Sequence, residues 1–204
     1  MSSSDRTSIE IVVFEGFDEL DALGPYEVLE NAVDGGATAA VDLVTLDGAT
    51  NVTGAHDLTI AAQGSLSDHA DVVVVPGGGW NDGADAGSRA EVESGDLPEA
   101  VRRAHEQGAV VASVCTGAMI LEAAGLLDGR PATTHHGAID DLRAAGAEVV
   151  DARVVDDGDV VTAGGVTSGL DLGCWLTERL WGADLAEEVA AAMEFDRSDD
   201  VVEA

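Results

Sequence analysis

Ala109-Val110-Val111-Ala112-Ser113-Val114-Cys115-Thr116-Gly117-Ala118 is the stretch from which the fold can be read. Its first six residues are small or apolar and follow a breaker, Gly108, which marks a strand buried on both faces. Cys115 and Thr116 come next without a loop, and a helix from Ala118 to Ala124 follows Gly117. A strand that turns into a helix within two residues places the turn at the carboxyl edge of a parallel sheet. Open α/β folds bind their ligands at that edge. The turn also lies at a helix N-terminus, whose dipole and free amides favour a thiolate. Gly117 allows the tight backbone path. This is nucleophile-elbow geometry with a thiol in place of a hydroxyl, and it makes Cys115 the candidate nucleophile. A buried structural cysteine is the competing reading of the same residue.

Working outward, the rest of the chain fits the same scheme. Ile9–Phe14, Val41–Leu46 and Asp71–Val75 are short apolar runs that read as strands. Pro25 fits the first turn of a helix with Ala22, Tyr26, Leu29 and Val33 on one face, ended by Asp34-Gly35-Gly36. Residues 51–60 read as a hairpin arm, and residues 80–96, rich in Gly, Asp and Ser, as a surface loop. Leu97–Gln107, Ile139–Ala145, Thr167–Trp181 and Ala183–Met193 read as helices, and Glu148–Val155 and Val160–Ala163 as strands. The tail 196–204 reads as acidic and frayed. Apolar strands alternating with helices predict an α/β fold with a mostly parallel sheet covered on both faces. No repeat or linker divides the chain, so residues 1–204 are expected to form one domain.

Three further groups join Cys115 as candidates. Pro76-Gly77-Gly78-Gly79 ends the strand expected beside it, so backbone N–H groups of this loop, with that of Thr116, can form an oxyanion hole. No Gly-Lys-Ser/Thr follows the glycines, which excludes a phosphate loop. Asp21 reaches the same edge if the first strand is central. A carboxyl beside a thiolate there has its pKa raised and can donate a proton. An N-cap or solvated aspartate is the alternative for Asp21. His135 and His136 follow a short run ending in Thr133-Thr134, and either can shuttle protons or sit idle in a loop. Cys174, inside the 167–181 helix, reads as core packing. The chain lacks Cys-x-x-Cys and His-Glu-x-x-His spacings, which argues against zinc.

Composition narrows the setting. The 204 residues carry 40 Asp+Glu against 9 Lys+Arg, a net charge of −31, and all nine cations are arginine. Such self-repulsion opposes compaction in dilute salt. At ~1 M salt the Debye length falls to about 3 Å and the repulsion is screened. The reading is a protein adapted to a salt-rich cytoplasm, from a halophilic source. The same charge argues against nucleic acid and anionic membranes as partners. Two cysteines are too few for a disulfide framework. The polar start, 1–9, has no apolar core of a signal peptide, and no run approaches the roughly 18 apolar residues of a membrane span.

Taken as a set, four segments resemble the ThiJ/PfpI superfamily, which includes the parkinsonism-associated deglycase. They are Val-Val-Pro-Gly-Gly-Gly (74–79), Ala-Ser-Val-Cys-Thr-Gly-Ala (112–118), Gly-Leu-Leu-Asp-Gly-Arg-Pro-Ala-Thr-Thr-His-His (125–136) and Ala-Gly-Gly-Val-Thr-Ser-Gly-Leu-Asp (163–171). The resemblance implies a flavodoxin-like, doubly wound, class I glutamine amidotransferase-like domain, usually a homodimer. The chain looks most like the isocyanide hydratase subgroup, which has Thr after the nucleophile, as Thr116 is here, and Asp in Leu-Asp-x-x-Gly-Pro, as Asp21 is with Gly24 and Pro25. Peptidases of the superfamily place His after the Cys, and that His is missing. Deglycases use Glu near the Asp21 position. The implied reaction is hydration of a small-molecule isocyanide to an N-substituted formamide without metal or organic cofactor. Cys115, Asp21 and Thr116 would be catalytic, and Gly77, Gly78, Thr134 and His135 would form the oxyanion and substrate-binding set. Two other outcomes follow from the same resemblance: a glyoxalase or deglycase acting on small dicarbonyls, or a redox or ligand sensor akin to the amidase-like domains of AraC-type regulators.

Overall fold

The computed structural model of the protein describes residues 6–81 and 83–204. Residues 1–5 of the polar start and residue 82 of the glycine-rich segment lie outside it.

Its centre is an eight-stranded sheet built from β1 (Thr7–Val12), β2 (Ala39–Thr45), β5 (Gly64–Ser65), β6 (Val72–Val75), β7 (Val110–Val114), β10 (Val154–Asp157), β11 (Val160–Ala163) and β12 (Val201–Glu203). The spatial order is β12-β10-β11-β7-β6-β1-β2-β5. Neighbours pair in parallel except β10 with β11, which form an antiparallel hairpin. Two small sheets lie outside it: the hairpin of β3 (Asn51–Thr53) and β4 (Thr59–Ala61), and the parallel pair of β8 (Pro131–Ala132) and β9 (Glu148–Val149). Helices α1 (Glu19–Asp34), α6 (Ser168–Trp181) and α7 (Ala183–Ala192) pack on one another. A second group consists of α2 (Ser88–Ser94), α3 (Asp96–Glu106), α4 (Gly117–Ala123) and α5 (Ile139–Ala145), with a 3-10 turn at His136–Ala138. The result is the expected doubly wound, mostly parallel α/β sheet of the flavodoxin-like kind.

The sheet is apolar because it is covered on both sides. All four valines of β6 are buried, as are Ile9, Ile11, Val111, Ala112 and Val114. Each buried aliphatic side chain contributes about 1.5–3 kcal/mol. Small residues set the helix approach. A Cβ on Gly173 of α6 would lie 2.7 Å from that of Val28 on α1, so only glycine permits this contact. Cys174 is fully buried in the cluster that Val28, Ala32 and Val189 form, in keeping with a packing role. Among the described residues, no helix is long and apolar enough to cross a membrane.

Four local expectations are corrected. Helix α1 starts at Glu19, which puts Pro25 beyond the first turn where it was expected. Asp18 caps it by accepting the Leu20 N–H at 3.2 Å, and two acids follow in the first turn, where the dipole favours them. Pro25 is therefore interior, and the carbonyl of Asp21 loses the N–H that residue 25 would otherwise donate. Segment 80–96 contains helix α2. Its sequence has one large apolar residue, Val92, so no periodicity betrays it. Residues 148–155 divide between β9 and β10, which join different sheets. The acidic tail ends in an edge strand, because β12 pairs with β10 from Val154↔Val201 to Asp156↔Glu203.

Candidate active site

The carboxyl ends of β1, β6, β7 and β11 lie side by side, which follows from the pairs Ile11↔Val74, Val75↔Ser113 and Val114↔Ala163. Everything that leaves those ends meets at one edge: Asp21 from the start of α1, the glycines 77–79, Cys115, and Gly164–Gly165.

Cys115 takes φ +58°, a left-handed conformation that a residue bearing Cβ adopts only under constraint. The constraint is visible. Its N–H is shared between Ala163 O at 3.1 Å and Gly164 O at 2.8 Å. Its carbonyl accepts the Thr134 hydroxyl at 2.8 Å. Gly117 is obligatory, since a Cβ there would sit 2.1 Å from Val75 O. The residue is 6% exposed.

Asp21 is wholly buried. Its Oδ2 accepts the Gly77 N–H at 3.0 Å, while Oδ1 has no hydrogen-bond partner of normal geometry. The carboxyl and the Cys115 thiol nonetheless bear on each other's protonation. Burial first, then the Asp18 charge, raises Asp21 to about 8. Burial and then the Asp21 charge push the Cys115 thiol far above its ordinary range, against a smaller pull from the Thr116 N–H. The resting pair is thus a neutral thiol beside a carboxyl that gains and loses its proton near neutrality. A standing thiolate stabilised by the helix end, as the sequence suggested, is not what this burial favours. The two groups titrate as one unit.

The other candidates are placed as follows. The Gly78 N–H donates to Thr116 Oγ1 at 3.0 Å, and the Gly77 N–H is held by Asp21. Both amides have partners, so neither is a free oxyanion donor as it stands. Thr116 is 4% exposed, and its hydroxyl meets Ser88 Oγ at 3.0 Å. Thr134 commits its hydroxyl to the backbone of Cys115 rather than to the solvent side. His135 is half-buried at the rim, its ring about 3 Å from where a Cβ on Gly165 would lie. Burial, and then His136 with its ring 4.1 Å away, hold the His135 imidazole below its usual range. His136 is exposed, which makes His135 the inward member of the pair. Among the described residues, no cluster of three His, Cys, Asp or Glu side chains suits a metal.

Two groups were not singled out from the sequence. Asp18 contributes charge to both Asp21 and Cys115, and its N–H donates to Gly77 O at 2.8 Å. Ser88 lies at the start of α2, in a segment read as loop. Its position beside Thr116 leaves no pattern in the sequence. A shallow depression of about 520 Å³ opens nearby, lined by Asp18, Glu19, Leu20, His56, Leu58 and Val166.

Comparison with known proteins bears on the family and the fold. The chain is 36% identical over 189 residues to an isonitrile hydratase of Pseudomonas putida, covering 92% of this chain and 78% of that one. It is 32% identical over 162 residues to a deglycase of Pyrococcus horikoshii, covering 79% and 90%. A ThiJ/PfpI family protein from Pseudomonas syringae superposes with TM-score 0.84 at 28% identity, over 95% of this chain and 76% of that one. The model of the DJ-1/PfpI family matches residues 7–179, and the chain belongs to that family.

Proposed function

We propose that the protein hydrates isocyanides to N-substituted formamides, with Cys115 as nucleophile and Asp21 as its proton partner. The observation that carries the reading is the buried Asp21 carboxyl coupled to a strained, buried Cys115, with one carboxylate oxygen left unpaired. The likeness to an isonitrile hydratase supplies the substrate class.

The steps balance without a cofactor. The thiol proton passes to Asp21 as sulfur attacks the terminal carbon of R–N≡C. Asp21 returns that proton to the carbon, giving the thioimidate Cys115–S–CH=N–R. Water then adds its oxygen to the carbon and a proton to nitrogen. The C–S bond breaks, the hydroxyl proton returns to sulfur by way of Asp21, and R–NH–CHO leaves. An acid poised near the working pH suits both directions of transfer. The Thr116 N–H, which faces the sulfur, steadies charge there.

The test is formamide release from an aryl isocyanide in multimolar KCl. Cys115→Ala is expected to abolish turnover. Asp21→Asn is expected to lower kcat by about 10²–10⁴. A folded wild type that releases no formamide would sink the assignment. The deglycase relative favours a second reading, glyoxalase or deglycase action on small dicarbonyls, with Cys115 again the nucleophile. Methylglyoxal consumption without isocyanide turnover would establish it.

We further propose that the chain works as a homodimer in a salt-rich cytoplasm, supported by two features: the net charge of −31 and the exposed Leu20 and Leu58 beside the depression.

A further inference from the structure

Ser88 Oγ, fully buried, donates at 2.7 Å to Gly78 O, the one acceptor it bonds that cannot itself donate. Its single proton is therefore used, and the 3.0 Å contact with Thr116 must be donated by Thr116. Thr116 Oγ1 in turn accepts the Gly78 N–H at 3.0 Å. The three bonds close a ring: Gly78 N–H to Thr116, Thr116 to Ser88, and Ser88 back to Gly78 O. The Ser88 N–H donates to the same carbonyl at 2.7 Å. Both polar groups of Gly78 are thereby tied to hydroxyls on α2 and at the elbow.

The loop so held has no slack. Gly78 takes φ +120°, and a Cβ on Gly77 would lie 2.5 Å from Thr116 N and 3.0 Å from Asp21 Oδ2. Gly77 is the residue whose N–H grips Asp21.

We propose that Ser88 is a positioning residue for the Cys115–Asp21 pair: it locks the glycine loop so that the Gly77 amide stays on Asp21. The inference deepens the thiol-nucleophile reading and rests on it. Its logic is electrostatic. The Gly77 N–H favours the Asp21 anion, and without the ring that bond loosens. The pair then gives up its first proton, that of Asp21, at higher pH, and the carboxylate that takes the thiol proton during attack appears later.

The experiment follows iodoacetamide alkylation of Cys115 against pH, in high salt, for wild type, Ser88→Ala, Thr116→Val, the double variant and Ser88→Thr. Ser88→Ala is expected to move the inflection up by about half to one pH unit, a roughly three- to tenfold slower reaction below it. The double variant should shift no further than either single one, because the ring acts as a unit. Ser88→Thr, which keeps the hydroxyl, should bring the inflection back. A merely structural serine would change the melting temperature and leave the pH profile in place, which overturns the proposal. Additive shifts overturn it as well. If Ser88→Ala does not fold, the Thr116→Val profile alone decides, with an unshifted inflection counting against the ring. Failure of the nucleophile reading looks different: Cys115 then stays unalkylated in the wild type at every pH.

Discussion

At the scale of single residues, the site trades stability for chemistry. Asp21 has an ordinary pKa of 3.8, raised to about 8 by burial and then by Asp18. In the unfolded chain it ionises near the ordinary value, so between about pH 4 and 8 the folded state binds a proton that the unfolded state does not. Stability contributed by Asp21 is thus complete below pH 4 and lost as pH rises through 8. Asp21→Asn removes that dependence. Chemical denaturation in high salt should show Asp21→Asn gaining on wild type between pH 4.5 and 8.5, by roughly 2–5 kcal/mol. A difference that stays constant with pH would mean that Asp21 is ionised throughout in the folded protein. The placement of Cys115 and Asp21 at one sheet edge was legible in the sequence because a strand-to-helix junction and a sheet edge are properties of short segments. The partners of Gly77, Gly78 and Thr134 were not, because those hydrogen bonds join residues 19 to 56 positions apart. Ser88 was hidden for the same reason.

At the scale of elements, what could be read was what the element's own residues dictate. β6 and β7 are valine-rich and almost wholly buried, and they appear where expected. Helix α2 and strand β12 were missed because neighbours make them: α2 docks on α4, and β12 has two valines among acids yet pairs with β10. The β3–β4 hairpin shows such tertiary control at the mouth of the site. Glu19 of α1 accepts from the His56 N–H at 2.7 Å and the His56 Nδ1 at 2.6 Å, and a Cβ on Gly54 would strike the same carboxylate at 2.5 Å. Burial opposes ionisation of Glu19, but the bonds from His56 and Leu58 prevail and hold it below its usual range. The hairpin is thus pinned with Leu58 facing outward, 46% exposed, near Leu20 at 41%. Large apolar side chains held rigidly in the open favour a partner surface. Light scattering in high salt should give wild type twice the chain mass, and Leu58→Glu should return the protein to monomer. A Leu58→Glu variant that remains dimeric would place the interface elsewhere.

At the scale of the whole molecule, charge decides the conditions under which any of this operates. Seven of the nine arginines, residues 102, 103, 130, 143, 153, 179 and 197, already pair with carboxylates. Arg6 donates to Ala39 O, and Arg89 lies 4.2 Å over the Trp80 ring. The cations are committed, and the net charge of −31 is an excess that no rearrangement of side chains can neutralise. Two effects of salt then compete. Screening weakens exposed ion pairs, each worth about 0–1 kcal/mol. It also relieves repulsion spread over the whole acidic surface, and since acids outnumber cations 40 to 9, the second effect should win. The Debye length falls from about 10 Å at 0.1 M to about 3 Å at 1 M, so most of the gain should come within that range. A relief of roughly 3 kcal/mol would raise the melting temperature of a chain this size by about 6–12 °C. Potassium chloride isolates this term, because sulfate would also strengthen apolar burial by exclusion from the surface. A melting temperature that climbs between 0.1 and 1 M KCl and then levels would identify screening as the cause. A flat or falling curve would mean that the acidic surface carries no such cost, and the salt-rich interior proposed for this protein would lose its physical basis.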